Sequence, residues 1–268
     1  MSPTIASALA TVLYSLSAFL ILSQLSTPTD KPVRPRWLSL TPALIGLLLH
    51  AVILNQLIYR PAGLDLSFFT AFSLITWLIS IQILLSCIFR KIETLGIVMF
   101  PMAGLASLLS SLVSTAPEQL IVVSNNSIQA HIMISVVAYS LIMLSALQAL
   151  LLSYQDRAIR SHHPGGFIRY LPPIYDMEIL LFQFLGFGFV CLSGSLISGF
   201  FFLEDIFAQH QAHKTVLSLI AWFILGTLLF GRFQFGWRGK TAVRWTLSTF
   251  ALLLVGFFGS KLVYEFII

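Results

Sequence analysis

The sequence predicts an all-α fold: a polytopic membrane protein, built as a bundle of eight transmembrane helices with both termini outside. Three observations predict it. Of 268 residues, 57% are hydrophobic and 9% charged, with a mean hydropathy of +0.92. Soluble domains carry about a quarter charged residues, so this chain could not cover a surface in water. The apolar residues fall in eight runs, each near the roughly 20 residues needed to cross a bilayer core. Twelve of the fifteen lysines and arginines fall in alternate connections, the asymmetry that orients membrane helices.

Taken in order, the spans are expected at roughly 4–25, 38–59, 67–89, 94–115, 130–154, 180–203, 214–231 and 242–264. In lipid each backbone must satisfy its own hydrogen bonds, which makes every span a helix. The opening MSPTIASALATVLYSLSAFLILSQL lacks the basic region of a signal peptide, and its apolar run is too long for one. It reads as helix 1. Helix 2 carries a mid-span His50, followed by Asn55 and Gln56. Helix 6 contains Gly186, Gly188, Gly194 and Gly199 among serines. Small residues let helices approach closely, which predicts a central position for it.

The connections set the orientation. Lys31, Arg34 and Arg36 follow helix 1, and Arg90 and Lys91 follow helix 3. Arg157, Arg160 and Arg169 follow helix 5; Arg232, Arg238 and Lys240 follow helix 7, with Arg244 just beyond. These connections are expected on the cytoplasmic side. Arg60, Lys214 and Lys261 fall on the outer side, Lys261 snorkelling or pairing with Glu265. In the connection 155–179, His162 and His163 of SHHPGG read as solvated loop residues. Pro172–Pro173 ahead of Asp176 and Glu178 reads as the start of a short interfacial lead-in to helix 6. Residues 117–128 are expected as an outer surface helix or loop.

Several function classes are excluded. The net charge of +5 is distributed over short loops and does not point to nucleic acid. Cys87 and Cys191 form no CxxC and read as packing residues. The absence of CxxCH excludes covalent c-type haem.

Two histidines stand out. His131 opens helix 5 in HIMISVVAY, and His213 opens helix 7 in HKTVLSLIAW, a short echo offset by one residue. Both helices run inward, so the two imidazoles are expected at one outer depth. Three readings compete: ordinary interfacial histidines, a proton relay with His50 as its mid-membrane member, and axial ligation of one haem iron. The setting leans towards haem. Phe200, Phe201, Phe202 and Phe207 could face a porphyrin, or form an aromatic belt. Arg60 and Lys214 are placed to pair with propionates. Glu204 and Asp205 mark solvated loop, and His210 is a candidate substitute ligand. His50 is either hydrogen-bonded to a neighbouring helix or a deeper haem contact.

The stretches QAHIMISVVAYSLIMLSALQALLL, LPPIYDMEILLFQFLGFGFVCLSGSLISGFFF and the segment from His213 to Ile268 resemble the cytochrome c assembly family of haem-handling membrane proteins. The likeness is in particular to its eight-helix, YpjD- and HemX-like branch. These stretches cover about half of the chain, all in its second half; the first four helices are similar in layout. The resemblance implies one integral membrane domain over 1–268, with its core at 38–268, in a bacterial inner membrane. It implies a non-covalent, b-type haem held by two outer histidines, positions that fall on His131 and His213. One departure stands in the outer loop. Haem-transporting members carry a tryptophan-rich segment ending in Trp-Asp, and this chain reads FFFLEDIFAQHQ. That departure bears on presentation of haem to an apocytochrome rather than on binding between the histidines.

The expected function is therefore haem handling in cytochrome c assembly, with no bond-forming step catalysed by the chain's own residues. The expected partners are haem, the bilayer, and a cytochrome-assembly or tetrapyrrole-synthesis protein, with no nucleic acid. A HemX-like regulator of early tetrapyrrole synthesis is the alternative, and a small-solute or ion transporter component ranks third.

Overall fold

A computed structural model of the chain describes residues 2–25, 35–61, 63–90, 92–113, 126–161, 171–202 and 212–259. Among these, eight helices are long and apolar enough to cross a membrane. They are α1 (Pro3–Leu25), α2 (Arg36–Ile58), α3 (Phe68–Phe89), α4 (Gly96–Leu112), α5 (Asn126–Arg160), α6 (Ile174–Phe202), α7 (Ala212–Phe235) and α8 (Lys240–Leu254). A 3-10 turn, Glu93–Leu95, leads into α4, and a π-helical turn, Val255–Gly259, extends α8. The helices group into two units, α1–α4 and α5–α8.

In the first unit, α1 presents Ala6, Ala10, Tyr14 and Ile21 inward, at helical spacing. Its approach to α4 is close because Gly104 has no side chain. A Cβ there would lie 2.8 Å from the Thr11 Cα, and the Thr11 hydroxyl donates to the Gly104 carbonyl at 2.8 Å. Across the α1–α2 contact, Ser17 Oγ donates to the Ser39 carbonyl at 2.6 Å. At the basic end Arg36 grips Glu93 through two nitrogens, at 3.0 and 2.9 Å. At the other end a two-residue hairpin, β1 (Tyr59–Arg60) against β2 (Gly63–Leu64), joins α2 to α3.

In the second unit, α6 runs antiparallel to α5 and to α7. The pairs His131–Ser198, Ser135–Ser195 and Gln148–Met177 fix the first register. Trp222 Nε1 donates to Ser193 Oγ at 2.8 Å, and its ring stacks on Phe189, fixing the second. Within this unit α6 is not the most enclosed helix. Its glycines do bring it close to α5, since a Cβ at Gly188 would meet Ile142 at 3.1 Å. Its other side, with Phe187, Val190 and Ile197, is exposed. The most covered span of this unit is α5.

Helix lengths also differ from the sequence expectation. At 35 residues, α5 spans about 52 Å and continues past the bilayer core at its basic end. Arg157 and Arg160 therefore sit on its last turn rather than in a loop. Pro172–Pro173 do precede a helix start, but α6 runs from Ile174 straight into the span, with no separate lead-in. Of the expected packing cysteines, Cys87 is buried and Cys191 half-buried. The expectations for Lys31, Arg34, Lys91, the residues 117–125, His162, His163 and Arg169 lie outside the described residues. So do those for the Phe202 side chain, Glu204, Asp205, Phe207, His210, Lys261 and Glu265.

Candidate functional site

His131 lies in the second turn of α5 and is half-buried; His213 is the second residue of α7 and is exposed. Because α5 and α7 both run antiparallel to α6, they run parallel to each other. Ser198 and Ser193 of α6 bond to His131 and Trp222. Counting back five residues on α7 puts Leu217 level with His131, and His213 about 6 Å beyond it, at 1.5 Å per residue. A second contact, Tyr139 Oη to Ser218 Oγ at 3.5 Å, gives an independent count. His131 stands eight residues before Tyr139 and His213 five before Ser218, an offset of about 4.5 Å in the opposite sense. The two histidines thus occupy one depth to within about a helical turn.

Both helices reach this arrangement through the echo in their sequences. Its alanines, Ala138 and Ala221, are fully buried. Its serines and aromatic rings make interhelical hydrogen bonds: Ser135 to Ser195, Tyr139 to Ser218, and Trp222 to Ser193.

A chain of hydroxyls sets the state of the His131 ring. Ser198 Oγ donates its one proton to the Ser195 carbonyl at 3.0 Å. The same oxygen lies 2.9 Å from His131 Nδ1, and when its proton goes to the carbonyl it accepts there. In that arrangement Nδ1 carries the hydrogen and Nε2 the lone pair. Ser135 Oγ donates to the His131 carbonyl at 2.6 Å and stands 2.6 Å from Ser195 Oγ, which locks this turn of α5 against α6. A histidine oriented through one nitrogen, with a lone pair on the other, has the form of a metal-ligating imidazole. The serines were not singled out in the sequence, although Ser195 and Ser198 stand three apart on one helical face.

Among the described residues no three His, Cys, Asp or Glu side chains gather as a metal cluster. A bare metal ion needs three or four protein ligands, whereas a porphyrin brings four equatorial nitrogens and asks the protein for two at most. Two histidines supply the ligand count of the second case. Lys214, beside His213, is half-buried. Phe200 and Phe201, at the end of α6 that carries Ser198, are 72% and 73% exposed, with their rings edge to face.

Arg60 belongs to the α1–α4 unit, where its Nη2 lies 2.7 Å from Oδ2 of buried Asp65. His50 is wholly buried. Its Nε2 lies 2.8 Å from Ser73 Oγ and its Nδ1 3.4 Å from the Tyr14 hydroxyl. With both ring nitrogens engaged by α3 and α1, His50 matches the reading of a histidine hydrogen-bonded to neighbouring helices. Asn55 and Gln56 are exposed and do not continue a polar path from it.

Comparison with known proteins gives a consistent result. The model of the family described as cytochrome C assembly protein matches residues 37–268, so the likeness extends through helices α2–α4 and is not confined to the second half. The inner membrane protein YpjD of Escherichia coli strain K12 is 28% identical over 264 residues, 97% of each chain. A 28.8 kDa protein of Azospirillum brasilense is 31% identical over 140 residues, 52% of each chain. No solved structure matches.

Proposed function

The chain belongs to the cytochrome C assembly protein family and is a multi-pass inner-membrane protein; from that premise we propose that it binds haem between His131 and His213 and handles it during cytochrome c assembly. The observation that carries this reading is the orientation of His131. Its Nδ1 is held by Ser198, and with the proton there the Nε2 lone pair faces iron at the depth of His213. A bound haem supplies the iron and its equatorial nitrogens. His131 and His213 would ligate the iron, and the Lys214 ammonium would pair with a propionate. Phe200 and Phe201 would give apolar surface to the ring. The proposed role is binding and transfer.

The test is optical. The purified full chain, titrated with haemin and then reduced, is expected to show a sharp low-spin spectrum. His131→Ala and His213→Ala are each expected to weaken binding and shift the spectrum to high spin. An unchanged spectrum in the double variant would end the reading.

A further inference from the structure

We infer that the basic end of the α5–α8 unit binds one anionic phospholipid, its phosphate held by cations of α5 and α8 and its acyl chain lying on an apolar wall between them. A cavity of about 570 Å³ opens there between the last turns of α5, the first turn of α6 and the start of α8, within the ~300–1,000 Å³ of ligand sites generally. Five cations line it: Arg157 and Arg160 from α5, and Arg238, Lys240 and Arg244 from the start of α8. Its two carboxylates are both engaged. Asp156 takes Arg160 at 3.0 Å, and buried Glu178 accepts the Gly239 N–H at 2.7 Å. Among the described residues Arg157, Arg238, Lys240 and Arg244 have no ion-pair partner.

All four are exposed, and their positions favour an anion. Lys240 opens α8 and Arg244 follows one turn later, where the helix dipole is already positive and favours negative charge. The fold builds this crowding deliberately. Gly239, at φ +58°, turns the chain in a conformation that glycine adopts readily, and Glu178 pins that turn to α6. The result is five cations and two carboxylates around one opening, an excess of positive charge among the described residues.

Two further features identify the anion as a lipid. The cavity wall is apolar, with Leu150, Leu152, Val243 and Leu247, and Leu150 is 52% exposed on the outer side of α5, where acyl chains run. The rings of Trp237 and Trp245 stand 5.4 Å apart beside the cations, and tryptophans of membrane helices sit at headgroup level. Charge, apolar wall and depth agree on a phosphodiester with hydrocarbon attached. The site lies about 39 Å along α5 from His131 and does not depend on the haem reading.

The test titrates the purified full chain with dioctanoyl phosphatidylglycerol and with dioctanoyl phosphatidylcholine, counting bound lipid by native mass spectrometry. One phosphatidylglycerol is expected to bind in preference, more weakly at high salt. Each cation near a lipid surface contributes about five-fold, so Lys240→Gln with Arg244→Gln is expected to weaken binding about 25-fold. The charge-keeping pair Lys240→Arg with Arg244→Lys should stay within a few-fold of the natural chain, which separates lost charge from lost fold. Equal binding of the two lipids, or unchanged binding in the glutamine pair, overturns the proposal. Displacement by glycerol 3-phosphate at equal concentration also overturns it, because the site would then take a soluble phosphate.

Discussion

Replacing Ser198 by alanine tests the hydroxyl chain that orients His131. The change removes one oxygen, which accepts from His131 Nδ1 at 2.9 Å and donates to the Ser195 carbonyl at 3.0 Å. The α5–α6 contact one turn away, Ser135 to Ser195 at 2.6 Å, is untouched, so the helices should keep their register. An unsatisfied donor in a half-buried position costs about 1–3 kcal/mol. Once freed, the ring can rotate and place its proton on either nitrogen. Losing the orienting partner of a metal-bound histidine costs about 10–100-fold in affinity, which is the same free energy reached by another route. The assay is haemin titration of Ser198→Ala in detergent, alongside Ser198→Thr, which keeps the hydroxyl. Weakening by about 10–100-fold in the alanine variant, with recovery in the threonine variant, is expected. If Ser198→Ala binds haem within two-fold of the natural chain while His131→Ala does not, the orienting role is refuted.

Three further outcomes follow from packing. A Cβ at Gly104 would meet the Thr11 backbone at 2.8 Å, whereas one at Gly186 meets nothing within 4 Å. Gly104→Ala is therefore expected to lose about 1–3 kcal/mol and Gly186→Ala to gain a few tenths or more through helix propensity, as read by thermal unfolding in detergent. His50→Ala removes a wholly buried ring and takes a partner from the Ser73 and Tyr14 hydroxyls. It should cost about 2–4 kcal/mol while leaving the spectrum of bound haem unchanged; a lost Soret band without lost stability would make His50 a ligand. Glu178→Ala releases the turn at Gly239, leaving that N–H without its partner. Hydrogen exchange at Gly239 and along the first turn of α8 is expected to rise by at least ten-fold, and unchanged exchange there would show that the contact does not hold α8.

The site and the fold differ in how far the sequence reveals them. The echo at His131 and His213 pointed to equal depth, and the structure supplies what the echo is for: buried alanines for close approach, and serines and aromatic rings for interhelical bonds. The serines of α6 gave no separate signal, because serine in a membrane helix bonds its own backbone as readily as a neighbour. His50 was visible as an anomaly, but the choice between its readings required Tyr14 and Ser73, residues 36 and 23 positions away. The cavity at the basic end joins residues near 157 with residues near 240, and no local pattern links them.

By itself the sequence determined the spans, their helical form and the end at which the cations gather. Each of these follows from transfer of a local segment between water and hydrocarbon, which depends on composition over about twenty residues. Tertiary structure alone decided which faces meet, that α5 rather than α6 is the most covered span of its unit, and which histidine nitrogen is tied to a neighbouring helix. In lipid the outward and inward faces of a helix are both apolar, so hydropathy is silent about packing. Only the fit of small residues and hydroxyls between particular helices settles it.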